Sequence, residues 1–480
     1  MIEDSEQRNQ SAEKKPKDTE QKILVLAIGG GGGRVAADLL KGSDHFRKLV
    51  GSVYFLNTNK KDLDEIFNND IQEIEGKIVK TVSEETPTPN GLISVGKWWY
   101  GHTGAGGDFI RSERMLLYWL FHKEYVERIL ERGLDADSVG DDSSELGDPF
   151  GDEYRDFRNM AEGIMNTMKD EIRENDMILL IHSLGGGTGG GGAPVLARYL
   201  TEEMNSEYMK DRIVVSLCFL ADLHEEALTK ANSARNLMEI SRVVDIVLLF
   251  SNENLIDQVQ RERIVQPYGE KFTFRKLNSL IVSAVEMLMT AMYEEKITKP
   301  LDFHDLKSFS LGLPTNIVIP FMAPDYQNVN LRVPCLDRCL DFSLVPFTYG
   351  RMAKILPIII SSTKGIEQID EHPKDMYEEI ISKKLMVDMR GYVGDVRGVL
   401  DDSERKPMKV LALGFGLADL ANYLNYLTDA TYQWKAFHEE AGTKEPQEQT
   451  EQLIREIRRW YDDCSIRVES FVKNRAGGIE

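Results

Sequence analysis

The stretch Ser183-Leu184-Gly185-Gly186-Gly187-Thr188-Gly189-Gly190-Gly191-Gly192-Ala193-Pro194 holds the residue types best suited to chemistry in this sequence. It follows an apolar run, Met177 to Ile181, that reads as a buried strand, and it leads into Val195 to Leu200, which reads as the first turns of a helix. A glycine backbone between a strand and a helix can adopt positive φ and turn several N–H groups toward one point. The helix start adds its positive end there, so the natural guest is a phosphate. Thr188, the hydroxyl inside the glycine run, can give a hydrogen bond to a phosphate oxygen or hold a Mg²⁺-bound water. An ordinary glycine turn is the plain alternative, yet linkers rarely join a buried strand to an amphipathic helix.

Two other segments have the same order. Ile23 to Ile28 is an apolar strand followed by Gly29 to Gly33 and the helical pattern Arg34 to Leu40. Alone, this fits the glycine fingerprint of a dinucleotide-binding Rossmann unit, and the absence of Gly-Lys-Ser/Thr excludes a Walker loop. The next strand, Ser52 to Leu56, ends in Asn57-Thr58-Asn59, where a dinucleotide enzyme would carry an acidic residue for the ribose. A third small-residue loop, Gly101-His102-Thr103-Gly104-Ala105-Gly106-Gly107, precedes a helical pattern from Ile110. Three such loops describe a phosphate cage.

The order GGGTGxG after a strand resembles the signature loop of the tubulin and FtsZ family of GTPases. Asn57-Thr58-Asn59 is similar to the Asn-Thr-Asp of FtsZ, and Gly104-Ala105-Gly106 resembles the family loop that closes over the terminal phosphate. The resemblance implies phosphate binding by Gly30, Gly31, Gly32, Gly104, Ala105, Gly106, Gly186, Gly187, Thr188, Gly189 and Gly190, with Arg34, Asn57 and Thr229 as further nucleotide contacts. Arg34 stands where FtsZ has asparagine, and Thr229 where it has arginine. Glu225 takes the place of the family's ribose-binding glutamate, and Glu239, Ser241, Asp245 and Asn252 follow in family order without a gap.

A long, mostly apolar pattern from Phe272 to Met289 reads as a helix buried between layers. Phe274 and Asn278 lie one turn apart on it; a ring can stack on a base, and an amide offers both a donor and an acceptor. The resemblance implies that Asn252 and Asn278 read guanine with Phe274 beside them, although Ser279 replaces the acid the family places next. Beyond the helix, Asp302 and Asp305 occupy the acidic positions of an FtsZ loop that enters the nucleotide site of the next subunit in a filament. The resemblance implies that they are catalytic. An ordinary helix N-terminus also favours Asp by capping, and Pro300 replaces the family's asparagine.

The chain of 480 residues holds 58 basic and 79 acidic residues, a formal charge of −21 that repels nucleic acid and anionic membranes unless a local patch or an adaptor intervenes. Four cysteines are too few for a disulfide framework, and Cys335 and Cys339 lack the further ligands of a zinc site, so they read as helix packing residues. With no long apolar run and no signal peptide pattern, the chain reads as cytoplasmic. The expected organisation is a disordered tail over 1–21, a GTP-binding domain over 22–268 with an acidic insertion at about 133–153, and a central helix over 269–296. A second α/β domain over 297–430 and a C-terminal helical extension over 431–480 follow. In the second domain, strands are expected at Asn316 to Phe321, Asp341 to Pro346, Ile355 to Ser361 and Lys409 to Gly414, with a helix at Met376 to Met386.

The fold class expected is therefore α/β: a Rossmann-like GTP-binding domain with a parallel sheet, a long central helix, a smaller second α/β domain and a C-terminal helix. The resemblance implies a GTP-hydrolysing cytoskeletal protein, with GTP and Mg²⁺ as its cofactors and no protein ligand directly on the metal. Its main partner would be itself, in a head-to-tail polymer whose subunits share each active site. A nucleotide-binding regulator that has lost hydrolysis or assembly is the rival reading. A Rossmann oxidoreductase is disfavoured by Asn57-Thr58-Asn59 and by the second glycine loop.

Overall fold

The computed structural model describes residues 22–81, 92–100, 105, 112–113, 116, 171–203, 212–221, 225–251, 274–293, 301–313, 315–322, 339, 343–345, 354–362, 396–400, 409–415 and 447–476. The expectations for the tail at 1–21, the acidic insertion, Met376 to Met386 and Cys335 lie outside these residues, as do Gly104, Gly106 and Asn252.

Strand β1 (Ile23–Ile28) leads directly into helix α1 (Gly29–Gly42), followed by the short α2 (Asp44–Leu49), β2 (Val50–Asn57) and α3 (Lys60–Ile66). Then come β3 (Val79–Thr81), β4 (Ile93–Trp99), β5 (Met177–Ser183), α4 (Gly187–Arg198), β6 (Ile213–Leu220), α5 (Ala227–Ser241) and β7 (Ile246–Ser251). Helix α6 (Phe274–Tyr293) precedes α7 (Phe303–Ser310), β8 (Ile317–Met322), β9 (Lys354–Ser362), β10 (Val396–Leu400), β11 (Lys409–Phe415) and the long α8 (Gln447–Ala476).

The eleven strands among the described residues form one sheet in the order β10-β9-β11-β8-β7-β6-β5-β1-β2-β4-β3. Every pairing from β3 across to β8 is parallel, and β11 runs antiparallel to both β8 and β9. Parallel strands are covered on both faces, which is why β1, β5, β6 and β7 read as continuous apolar runs. Along β1, Ile23, Val25 and Ala27 join one core with α1 residues such as Val35 and Leu39 and α6 residues such as Ile281 and Val285. Leu24, Leu26 and Ile28 face the other core, with Leu196 of α4, Leu237 of α5 and Ile457 of α8. No helix among the described residues is long and apolar enough to cross a membrane.

Chain order reverses at β1, whose neighbours are β2 on one side and β5 on the other. Such a reversal leaves a crevice at the carboxyl ends of the two central strands, where α/β sheets bind ligands. Here those ends are Ile28 and Ser183, the two residues that feed the glycine runs.

The expectation of glycine loops followed by helices is corrected at both places. Gly29–Gly33 are already the first turn of α1, and α4 begins at Gly187 and contains Pro194. Glycine disfavours a helix by about 1 kcal/mol per residue, but the missing Cβ lets these turns press against neighbouring backbone, and packing decides. Two further differences concern the far side of the sheet. Asp341 to Pro346, expected as a strand, contributes an isolated bridge from Ser343 to Phe321, while β10 was not anticipated. Strands β7 and β8 are in register over two pairs, Val247 with Ile317 and Leu248 with Val318. Beyond these, Ser251 N–H donates to Leu344 O at 2.9 Å and Leu344 N–H donates to Pro320 O at 3.0 Å.

His182 in β5 is fully buried, with Nε2 2.8 Å from Ser216 Oγ of β6, and burial pushes its pKa down to about 4. The unfolded chain has the ordinary value near 6.5 and so binds the proton first as pH falls. Stability from this group is therefore complete above about pH 7 and is lost between about pH 6.5 and 4, by about 3 kcal/mol in all. Denaturant titrations at several pH values should show this slope, and His182→Phe should flatten it.

Candidate nucleotide site

The crevice is built by the two abutting helix starts. Gly29 has φ +76° and turns the chain from β1 into α1; a Cβ there would lie 3.0 Å from the backbone nitrogen of Gly189. Gly32 packs even closer, since its Cβ would meet Ile181 O at 2.1 Å, and a Cβ on Gly190 would meet Leu184 O at 2.6 Å. A Cβ on Gly185 would strike Thr229 Cγ2 at 2.5 Å, which places Thr229 behind the glycine run. These glycines hold α1, α4 and α5 together.

Gly30, Gly31 and Gly186 differ. A Cβ on any of them would meet nothing closer than 3.5 Å, and all three are at least partly exposed. They line an open cradle into which the N-termini of α1 and α4 converge, with Ser183 beside Gly31 and Gly186. The N–H groups of two helix starts, neither capped by a side chain, and the positive ends of those helices suit this place to an anion. At its mouth Arg34 Nη1 and Asp62 Oδ2 would each lie 3.7 Å from a Cβ on Gly30, and Arg34 is 3.9 Å from Glu65.

A hydroxyl network ties the remaining walls to the cradle. Thr58, fully buried at the end of β2, has Oγ1 2.6 Å from Thr188 Oγ1 and accepts the Ala105 N–H at 2.9 Å. Trp99 Nε1 donates to Thr58 O at 3.2 Å, and Ser112 Oγ donates to Thr188 O at 3.1 Å. Ala105 and Thr188, both expected at the site, are thus joined by Thr58, which the sequence reading passed over. Its signal was present: a hydroxyl between two asparagines at a strand tip. Asn57 is buried, with Oδ1 accepting from Asn59 N–H at 3.0 Å and Nδ2 without a partner among the described residues.

The other expected residues fall into two groups. Asn278 of α6 is buried and donates from Nδ2 to Asp38 Oδ2 of α1 at 2.6 Å. Phe274 begins α6, and Glu225 lies half-buried just before α5. Asp302 and Asp305 are elsewhere. They form a capping box at the start of α7, with Asp302 Oδ1 accepting from Asp305 N–H at 2.6 Å and Asp305 Oδ2 from Asp302 N–H at 3.3 Å. Lys307 of that helix donates to Arg212 O at 2.7 Å and pairs with Asp245 at 3.4 Å. Arg212 and Asp245 precede β6 and β7, so α7 sits at the amino edge of the sheet, while the cradle sits at the carboxyl edge. Eight residues of β6 separate the two edges, roughly 25 Å at about 3.3 Å per residue.

The cradle suits a nucleotide's phosphates in shape and charge, and no group of three His, Cys, Asp or Glu suited to a metal occurs among the described residues. Thr188, half-buried beside the cradle, would be the hydroxyl placed to hold a Mg²⁺-bound water.

Residues 141–260 match the family model described as Tubulin/FtsZ family, GTPase domain. The tubulin-like protein CetZ of Pyrococcus abyssi is 28% identical over 230 residues, 46% of this chain and 57% of the relative. Cell division protein FtsZ 1 of Archaeoglobus fulgidus is 29% identical over 157 residues, 31% of this chain and 38% of the relative. The chain thus spans well under two thirds of these relatives' length. Among solved structures, CetZ1 from Haloferax volcanii as a GDP-bound monomer superposes with a TM-score of 0.56 at 16% identity, covering 86% of this chain and all of that one. CetZ2 from the same organism, as a GTPγS-bound protofilament, gives 0.56 at 18% identity over 85% and 97% of the two chains. In its loops and its sequence matches the chain is similar to the tubulin/FtsZ family, and its fold is similar to that of the CetZ structures.

Proposed function

We propose that this protein binds GTP in the cradle between α1 and α4 and hydrolyses it between the subunits of a cytoplasmic head-to-tail filament. The observation that carries the reading is the convergence of two helix N-termini on Gly30, Gly31 and Gly186 at the switch point of the sheet. Backbone N–H groups there take the phosphates, Thr188 and Thr58 orient one wall, and Arg34 offsets charge at the mouth. Mg²⁺, when bound, would neutralise the developing charge on the phosphates. Asn278 meets the base, and Asn252 and Phe274 are proposed to join it. The GDP and GTPγS bound in the CetZ structures, and the protofilament of one of them, support the reading.

The placement of Asp302 and Asp305 at the amino edge of the sheet supports hydrolysis across an interface. With the length of β6, roughly 25 Å, between them and their own cradle, they are placed to serve a nucleotide in another subunit, where they would orient the attacking water. The regulator reading draws on the capping box, because both carboxylates already serve their own helix. One experiment separates the readings. Purified protein should bind GTP far better than ATP, sediment with GTP above a threshold concentration, and show turnover per subunit that rises with concentration. Binding and sedimentation without turnover would favour a non-hydrolysing polymer, and binding alone the regulator.

A further inference from the structure

Asp38 lies nine residues into α1 from Gly29, on an element that otherwise supplies phosphate contacts, and its carboxylate accepts the Asn278 amide at 2.6 Å across to α6. From this contact we infer that Asp38 is a specificity-determining positioning residue, which fixes the polarity of Asn278 so that the amide offers its oxygen to the base. The inference rests on the proposal that a nucleotide base sits at the start of α6.

A carboxylate is an acceptor at every position, so it can face only the amino end of an amide. Were the Asn278 amide to rotate by half a turn, its carbonyl oxygen would face the Asp38 carboxylate and lose a charge-assisted hydrogen bond in a buried setting. The oxygen of Asn278 is therefore the end turned away from Asp38. Guanine presents N1–H and a 2-amino group as neighbouring donors, which suit that oxygen. Adenine presents an unprotonated N1 and a C2–H, and meets oxygen against lone pair. Nine residues of α1 also rise about 13.5 Å, a span that separates a base from phosphates bound at the helix start. Asp38 thus supplies from α1 a control over base choice, at a place where Ser279 brings no charge of its own.

The test uses Asp38→Asn in the full chain, with Asp38→Ala as a second variant and Kd measured for GTP, ITP and ATP. An asparagine at 38 can face either end of Asn278, so the lock loses its polarity while size is kept. The preference for GTP over ATP, and for GTP over ITP, which lacks the 2-amino group, should fall roughly tenfold or more, in line with the discrimination of a good base contact. Melting temperatures and circular dichroism of both variants identify misfolding. A wild-type preference for GTP that survives unchanged in a folded Asp38→Asn or Asp38→Ala variant overturns the inference while leaving the proposed function standing. Uniform weakening of all three nucleotides also overturns it, by assigning Asp38 a merely structural part. A wild-type chain that binds ATP and GTP equally refutes instead the guanine reading on which it rests.

Discussion

Asp305→Asn should assemble and hold GTP as the parent does, yet turn it over roughly a hundredfold more slowly. The choice of asparagine matters because Asp305 also closes the capping box of α7. Its amide oxygen can still accept the Asp302 N–H, so the helix start survives while the negative charge is lost. For Asp302, serine keeps the N-cap and removes the carboxylate, with a stability change of about 1 kcal/mol at most. Loss of turnover in both variants, at unchanged melting temperature, separates catalysis from capping. Mixing Asp305→Asn with a nucleotide-free partner that keeps its aspartates should recover some activity, since mixed contacts put intact carboxylates against filled cradles. Turnover that is indifferent to both substitutions and to protein concentration would defeat the shared-site mechanism.

The second large effect divides the glycines into two kinds. Gly32→Ala drives a methyl group to 2.1 Å from Ile181 O, and backbone cannot step aside as a side chain can. We expect a loss of about 3 kcal/mol and a melting temperature roughly 3 °C lower. Gly186→Val has the opposite outcome. Gly186 has φ −79° and ψ 149°, an extended conformation that valine favours, and its Cβ would have no neighbour within 3.7 Å. The fold should therefore persist while the branched side chain fills the cradle, and GTP binding should be undetectable at concentrations that saturate the parent. If folded Gly186→Val retains normal affinity, the phosphates sit elsewhere. This variant is also the nucleotide-free partner required above.

Where both faces of a strand are covered, the sequence is plain to read, and β1, β5, β6 and β7 are found as apolar runs. The site was legible to the extent that it lies in local order: glycines after strands, a threonine among them, aspartates before a helix. What escaped depends on contacts between distant residues. Asp38 meets Asn278 across 240 positions and Thr58 meets Thr188 across 130, and no periodicity announces either. Helical glycines escaped for a different reason, because propensity ranks glycine low in helices and the close approach of Gly32 to Ile181 is visible only in space. Strand β10 contains Arg397 and Gly398 and runs five residues, too short and too mixed to stand out.

The junction between β7 and β8 has a mechanical meaning. β5 and β6 share seven registered pairs, whereas β7 and β8 share two before Leu344 enters between them. A sheet opened by a wedge at one edge resists shear poorly along that line, and α6 bridges it, touching α1 and α2 on one side and β9, β10 and β11 on the other. Tension applied to a string of such molecules would therefore concentrate at this seam, with α6 as a stay across it. Amides flanking the wedge, Ser251 and Leu344, would then exchange with solvent ahead of those in β5, and pulling would hasten them first.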